Sequence, residues 1–253
     1  MERPISERPN SELTDEELLR KAESGDAEAV KDVGVRADDA GDLQKARRWY
    51  QRAADLGHAG AVRNLGIVAE EEDGESLEAE AYFRRAFAMG STLAAANLVS
   101  LLLHQSRDAE AAEWLETSVE CGQLIAIAVA GIGFNDRGER EEAFALWRRG
   151  ADLGELESTA ILAGQLYDLG EFDEAEEWAR VGASKGSAPC MMVIGVLARD
   201  RKDWGEARVW LQVAADLGDE TAAQELSNLQ GVLNPTTSSR RKNSISRQMW
   251  EKP

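Results

Sequence analysis

Histidine is almost missing from this 253-residue chain, with only His58 and His104 present. That scarcity leaves little room for the base that usually activates a hydrolytic nucleophile. Cysteine is equally scarce. Cys121 and Cys190 stand far apart in the sequence, so no Cys/His cluster has metal-ligand spacing, and two free thiols fit a reducing, cytoplasmic setting. Positive charge is in short supply: 29 Lys and Arg oppose 47 Asp and Glu, a net charge of −18. Nucleic acid and anionic membrane both need a positive footprint, so neither is an expected partner. Long apolar runs are lacking as well. The richest, LIAIAVAGIGF from Leu124 to Phe134, is too short to span a bilayer, and the opening MERPISERPNSELTDEELL has no apolar stretch of a signal peptide. The GIGF stretch at 131–134 has neither the Lys nor the Ser/Thr of a phosphate loop. Acidic runs such as Glu70-Glu71-Glu72-Asp73 read as solvated helix ends. The expectation is a protein that is not an enzyme and takes no cofactor or metal.

What the chain does have is a beat. Gly25, Gly57, Gly90, Gly122, Gly154, Gly186 and Gly218 recur every 32 or 33 residues. Eleven residues before each from Gly57 onward stands an alanine (Ala46, Ala79, Ala111, Ala143, Ala175, Ala207). Eight residues before stands a large side chain (Trp49, Tyr82, Trp114, Leu146, Trp178, Trp210). Four residues after stands a small one (Ala61, Ala94, Ala126, Ser158, Cys190, Ala222). A fixed period of this length signals stacked structural units.

Each unit reads as two helices. In KARRWYQRAADLG, 45–57, apolar residues fall at spacings of three and four, and the glycine closes the helix. A second turn signal lies sixteen residues before a beat glycine at Gly41, Gly74, Gly138 and Gly170, with Ser106 and Lys202 in its place in two units. No segment alternates as a strand would. The fold class is therefore all-α, an α-solenoid of stacked helical hairpins (an α/α superhelix). First helices would line its concave side, and Trp49, Trp114, Trp178 and Trp210 would pack its core. Gly154, as a helix stop, should tolerate valine less well than Gly34. Thr14 with Glu17 fits a capping box. The division is 1–12 disordered, 13–233 helical repeats comprising a capping helix, about six hairpins and a terminal helix, and 234–253 a disordered basic tail.

The segments KARRWYQRAADLGHAGAVRNLG (45–66), EEAFALWRRGADLGELESTAILAG (141–164) and GEARVWLQVAADLGDETAAQEL (205–226) resemble the Sel-one-like repeat, a relative of the tetratricopeptide repeat. Two features depart from those patterns. Turns such as Asp136-Arg137-Gly138-Glu139 are shorter than the usual Sel-one-like loop, and no proline stands near the end of the second helices. The resemblance implies scaffold or adaptor work, with a protein or peptide held in the concave groove. A regulatory subunit that takes a small apolar or peptide ligand there is the alternative.

Positions three, six, ten and thirteen past each beat glycine should face that groove. Early units place charge there, as at Lys31 and Arg63, together with Val35 and Gly60. Later units place Leu93, Ala96, Ser100, Ile125, Ala128, Ile132, Asn135, Tyr167, Met192, Val196 and Arg199. The competing expectation is that the apolar floor buries itself, because the 124–134 stretch is apolar nearly all round. The tail carries Arg240, Arg241, Lys242, Arg247 and Lys252 against Glu251. It is expected either to contact its own acidic body or to reach a second partner, and Ser244 and Ser246 lie just after its basic run.

Overall fold

The structure, a computed structural model, describes residues 9–72 and 77–233. Among the described residues it holds fourteen α-helices and no strand. They are α1 (Asp15–Glu23), α2 (Ala27–Asp39), α3 (Leu43–Asp55), α4 (Ala59–Glu72), α5 (Leu77–Ala88), α6 (Ala94–His104) and α7 (Asp108–Glu120), followed by α8 (Ile125–Asp136), α9 (Arg140–Asp152), α10 (Leu156–Asp168), α11 (Phe172–Ser184), α12 (Ala188–Asp200), α13 (Trp204–Asp216) and α14 (Glu220–Leu233). The tail, with Arg240, Arg241, Lys242, Ser244 and Ser246, lies outside the described residues, as do Gly74 and Asp73. So does the first part of the segment expected to be disordered. Its last residues differ from that expectation: Asn10–Glu12 form a short 3-10 turn. Asn10 Nδ2 donates to Asp32 Oδ2 at 2.6 Å, and Lys21 Nζ donates to Asn10 Oδ1 at 2.7 Å.

The chain forms two compact units, Met1–Ala143 and Phe144–Pro253, divided inside α9. In the first, neighbours pack in chain order from α1 through α7, and α6 also packs on α8. In the second, α10 through α14 pack in chain order, while α10 touches α12 and α12 touches α14. First helices thus meet first helices of the next hairpin, the arrangement that defines a helical-repeat stack.

The turns explain the beat. All seven beat glycines have positive φ, from 74° to 94°, a conformation that an L side chain adopts only under strain. Gly41, Gly138 and Gly170 do the same, and Ser106 and Lys202 take it without being glycine, at φ 57° and 63°. The residue after a beat glycine then serves two helices. His58 N–H donates back to Ala53 O at 3.0 Å, closing α3, while His58 Nδ1 accepts from Ala61 N at 3.1 Å, opening α4. Asp219 repeats both bonds, from its N–H to Ala214 O and from Ala222 N to its Oδ1. The small side chain four past the glycine is the residue whose amide is capped in α4, α10, α12 and α14, whereas α6 and α8 begin without a side-chain cap. The ends follow the sequence closely. Thr14 and Glu17 form the full capping box, and α14 buries Ala222, Leu226 and Leu229.

The interior differs from expectation in one respect. Trp49, Trp114, Trp178 and Trp210 are only half-buried. The fully enclosed line runs one residue later, through Tyr50, Phe83, Leu115, Trp147, Ala179 and Leu211. Across three hairpins this line faces a glycine. A Cβ at Gly34 would lie 2.6 Å from the Tyr50 ring, one at Gly66 2.5 Å from Phe83, and one at Gly195 2.7 Å from Leu211. The missing side chain on the first helix is the space that the large one on the second fills.

Candidate functional site

The groove register is realised as two open clefts, one in each unit, both built on first helices. In the second unit a cleft of about 300 Å³ is lined by Gly164, Tyr167 and Asp168 of α10, Met192, Val193, Val196 and Arg199 of α12, and Thr221 and Glu225 of α14. In the first, a cleft of about 380 Å³ is lined by Lys31 and Val35 of α2, Ala59, Gly60, Arg63 and Asn64 of α4, and the turn Gly90–Leu93 ahead of α6. Three successive first helices line the second-unit cleft, and two first helices with the turn ahead of a third line the first-unit cleft, because 32-residue spacing returns the same helical face to the same side. A third cleft of about 310 Å³ lies among α1, α2 and the start of α3, between Leu19, Arg36 and Lys45. The groove register gives no sign of it.

The second-unit cleft has an apolar floor and a polar rim. Tyr167 Oη donates to Asp200 Oδ2 at 2.6 Å, and its ring lies 5.6 Å from that of Phe172, which is half exposed. Burial, reinforced by Asp200, pushes the Tyr167 hydroxyl above its ordinary pKa. Arg199 donates to Asp200 at 3.0 Å, pairs with Glu225 and reaches Tyr167 Oη at 3.4 Å. Burial works against its charge, but the two carboxylates outweigh it and raise its pKa. Asp168 adds an exposed carboxylate with no ion-pair partner among the described residues. The rim is therefore net acidic.

The first-unit cleft has the opposite character. Lys31 is held by Glu28 and by Asp32 at 2.9 Å. Arg63 meets no carboxylate among the described residues, and its guanidinium bonds only Asn64 Oδ1, at 2.8 Å and 3.3 Å. Burial lowers its pKa. A half-buried cation without a counter-charge favours an anionic visitor. His58 caps α4 and its Nε2 lies 2.7 Å from Glu28, half-buried where its place beside a turn glycine suggests an exposed residue. His104 is exposed, 3.9 Å from Glu70, whose carboxyl burial pushes up.

The expected site residues fall into four groups. Tyr167, Met192 and Arg199 come together in the second-unit cleft, with Val196 on its floor. Leu93 lines the first-unit cleft beside Lys31, Val35, Gly60 and Arg63. Ser100, Ile125 and Asn135 are half-buried on α6 and α8, while Ile132 is 41% exposed. Ala96 and Ala128, at 5% and 0% exposure, are interior and present no surface. The reason is local: α6 packs directly on α8, with Gly133 so close to Leu103 that an added Cβ would lie 2.9 Å from it. Self-burial closes the register at Ala96 and Ala128, while Ile132 on the same face stays exposed. Asp168, Thr221 and Glu225 were not singled out. Thr221 sits three past Gly218 and was legible by the same rule, whereas Glu225 enters from a neighbouring position on α14.

Among the described residues, no cluster of His, Cys, Asp and Glu is arranged to hold a metal ion, and no helix is long and apolar enough to cross a membrane. No protein-family model and no curated protein matches the chain. Solved structures do. Yeast Tom70 matches with a TM-score of 0.63 at 11% identity, over 89% of this chain and 50% of its own. A Sel1 repeat protein from Oxalobacter formigenes matches at 23% identity over 76% of this chain and 88% of its own, with a TM-score of 0.47. YrrB, a TPR protein with an unusual peptide-binding site, matches at 19% identity and a TM-score of 0.41, over 83% of this chain and 97% of its own. The likeness is one of fold: the chain shares a helical-repeat architecture with Tom70.

Proposed function

We propose that this chain is a non-enzymatic scaffold that holds a protein or peptide partner on the exposed faces of its first helices. The observation that carries the reading is the pair of open clefts, each assembled from successive first helices and, in the first unit, the turn that leads to the next. Stacked repeats place their recognition groups on such a repeated face. An apolar floor at Met192, Val193 and Val196 suits a hydrophobic anchor, and the acidic rim suits a basic residue beside it. Arg63 suits a carboxylate on the same partner or on another.

The test is affinity capture with the full chain. Met192→Lys and Arg63→Glu, both at half-buried lining positions, each place a charge in one cleft that opposes the partner group it suits. Either one should lower partner recovery about tenfold while far-UV circular dichroism stays unchanged. Undiminished recovery by both variants overturns the reading. Thermal stabilisation of the unmodified chain by a small apolar molecule, abolished by Met192→Lys, would assign that cleft to a ligand instead.

A further inference from the structure

We infer that the acidic second-unit cleft is the docking site for the chain's own basic segment, residues 234–253, which occupies it in cis when no partner is bound. The inference rests on the reading of that cleft as a binding surface, and it names an occupant.

Three observations point the same way. The first is charge. Asp168, Asp200 and Glu225 stand at the rim against the single guanidinium of Arg199, which two of them already engage. The segment after α14 brings five basic residues against one acidic, a rare surplus in a chain of net charge −18. The first-unit cleft, with Lys31 and the uncompensated Arg63, would repel the same segment.

The second is shape and polarity. The floor of Met192, Val193 and Val196 beside the Tyr167 ring is apolar, and the cleft's volume of about 300 Å³ suits one large side chain. The segment supplies Trp250 preceded by Met249, close behind Arg247. An indole with a neighbouring cation is the kind of anchor an acidic-rimmed apolar cleft accepts.

The third is tethering. Helix α14 forms one wall through Thr221 and Glu225 and delivers the chain at Leu233. Eight helical residues separate Glu225 from Leu233, about 12 Å at the α-helical rise. Seventeen further residues lead to Trp250, chain enough to span that distance several times over. An anchor tethered this closely meets the cleft at an effective concentration on the order of millimolar, enough to make a weak contact prevail. Because it uses the same groups as a partner would, docking sets a threshold that a partner must exceed.

The experiment places a photoreactive benzoylphenylalanine at position 250 of the full chain and maps cross-links at low salt. Cross-links within one molecule to α10, α12 or α14 are expected. Their yield should fall roughly tenfold in about 1 M salt, where the Debye length is about 3 Å. It should fall similarly in the triple variant Arg240→Glu, Arg241→Glu, Lys242→Glu. Cross-links to Met1–Ala143, cross-links scattered over both units, or cross-links joining two copies each overturn the inference. Partner capture by Met192→Lys separates this failure from failure of the broader reading. Capture lost while cross-links scatter leaves the cleft a partner surface and removes the tail from it. Cross-links on the cleft with capture unmoved by Met192→Lys support the tail and remove the partner from that cleft.

Discussion

A glycine in this chain serves one of two purposes, and substitution separates them. Gly154 has φ +85° and only the flexible end of Lys185 near its missing Cβ, so valine there strains the backbone by about 1–2 kcal/mol. Gly34 and Gly66 have ordinary helical backbone, yet an added Cβ would collide with Tyr50 and Phe83. The expected tolerance of Gly34 is therefore lost for a reason that chain periodicity does not display: the conflict lies with a side chain sixteen residues away. Gly66→Ala should cost about 1–3 kcal/mol, read from the urea midpoint. Lys202 takes φ 63° where other units place glycine. Lys202→Gly should raise stability by roughly 0.5–1 kcal/mol, the strain relieved less the entropy glycine adds to the unfolded chain. A lower midpoint would mean that the lysine makes a compensating contact.

Between elements, arginines in three of the mid-hairpin turns tie their hairpin to the second helix of the one before. Arg107, ahead of α7, bonds Glu80 of α5 at 2.6 Å; Arg137, ahead of α9, bonds Asp108 of α7 at 2.7 Å; Arg201, ahead of α13, pairs with Glu176 of α11. Glu80 also pairs with Arg84 and is the most enclosed of these carboxylates. Arg107 holds its pKa below the ordinary 4.5. A depressed carboxylate contributes stability above its unfolded-state pKa and loses it as pH falls through the folded one. Glu80→Gln should thus cost about 1 kcal/mol at neutral pH and nothing in strong acid, where the two melting curves should merge. A gap that persists in acid would assign Glu80 a packing role. These ties were not legible in the sequence. The turn arginines occur in some units only and stand amid many other charges, so nothing periodic marks them. The turns themselves were legible, because positive φ selects glycine at a constant interval.

For the molecule as a whole, the paired carboxylates Glu28, Glu80, Glu110, Glu174 and Glu176 all have lowered pKa values, each held first by a hydrogen bond from a Lys or Arg. Burial raises that of Glu70, which acts in the opposite sense. The majority decides the sign: thermal stability should be level through neutral pH and decline as pH falls below about 4.5, as melts followed at 222 nm would show. A midpoint that rises on acidification would mean that relief of the net negative charge outweighs the ion pairs. At this scale the fold class was legible in the sequence, as was the capping box that opens α1. The sequence did not reveal where the first-helix face closes on itself, since Ala96 and Ala128 occupy the same register as the open positions and only the approach of α6 to α8 distinguishes them. Nor did it reveal the enclosed line, because residue type along it changes with the partner opposite: Tyr50 with Gly34, Phe83 with Gly66, and Ala179 at the position where α10 carries Ala163. That pairing restricts how such a chain could be rearranged. An entire period can be duplicated, excised or transplanted, because each carries both tooth and notch. Half a period cannot, since a tyrosine grafted opposite an alanine would find its slot already filled.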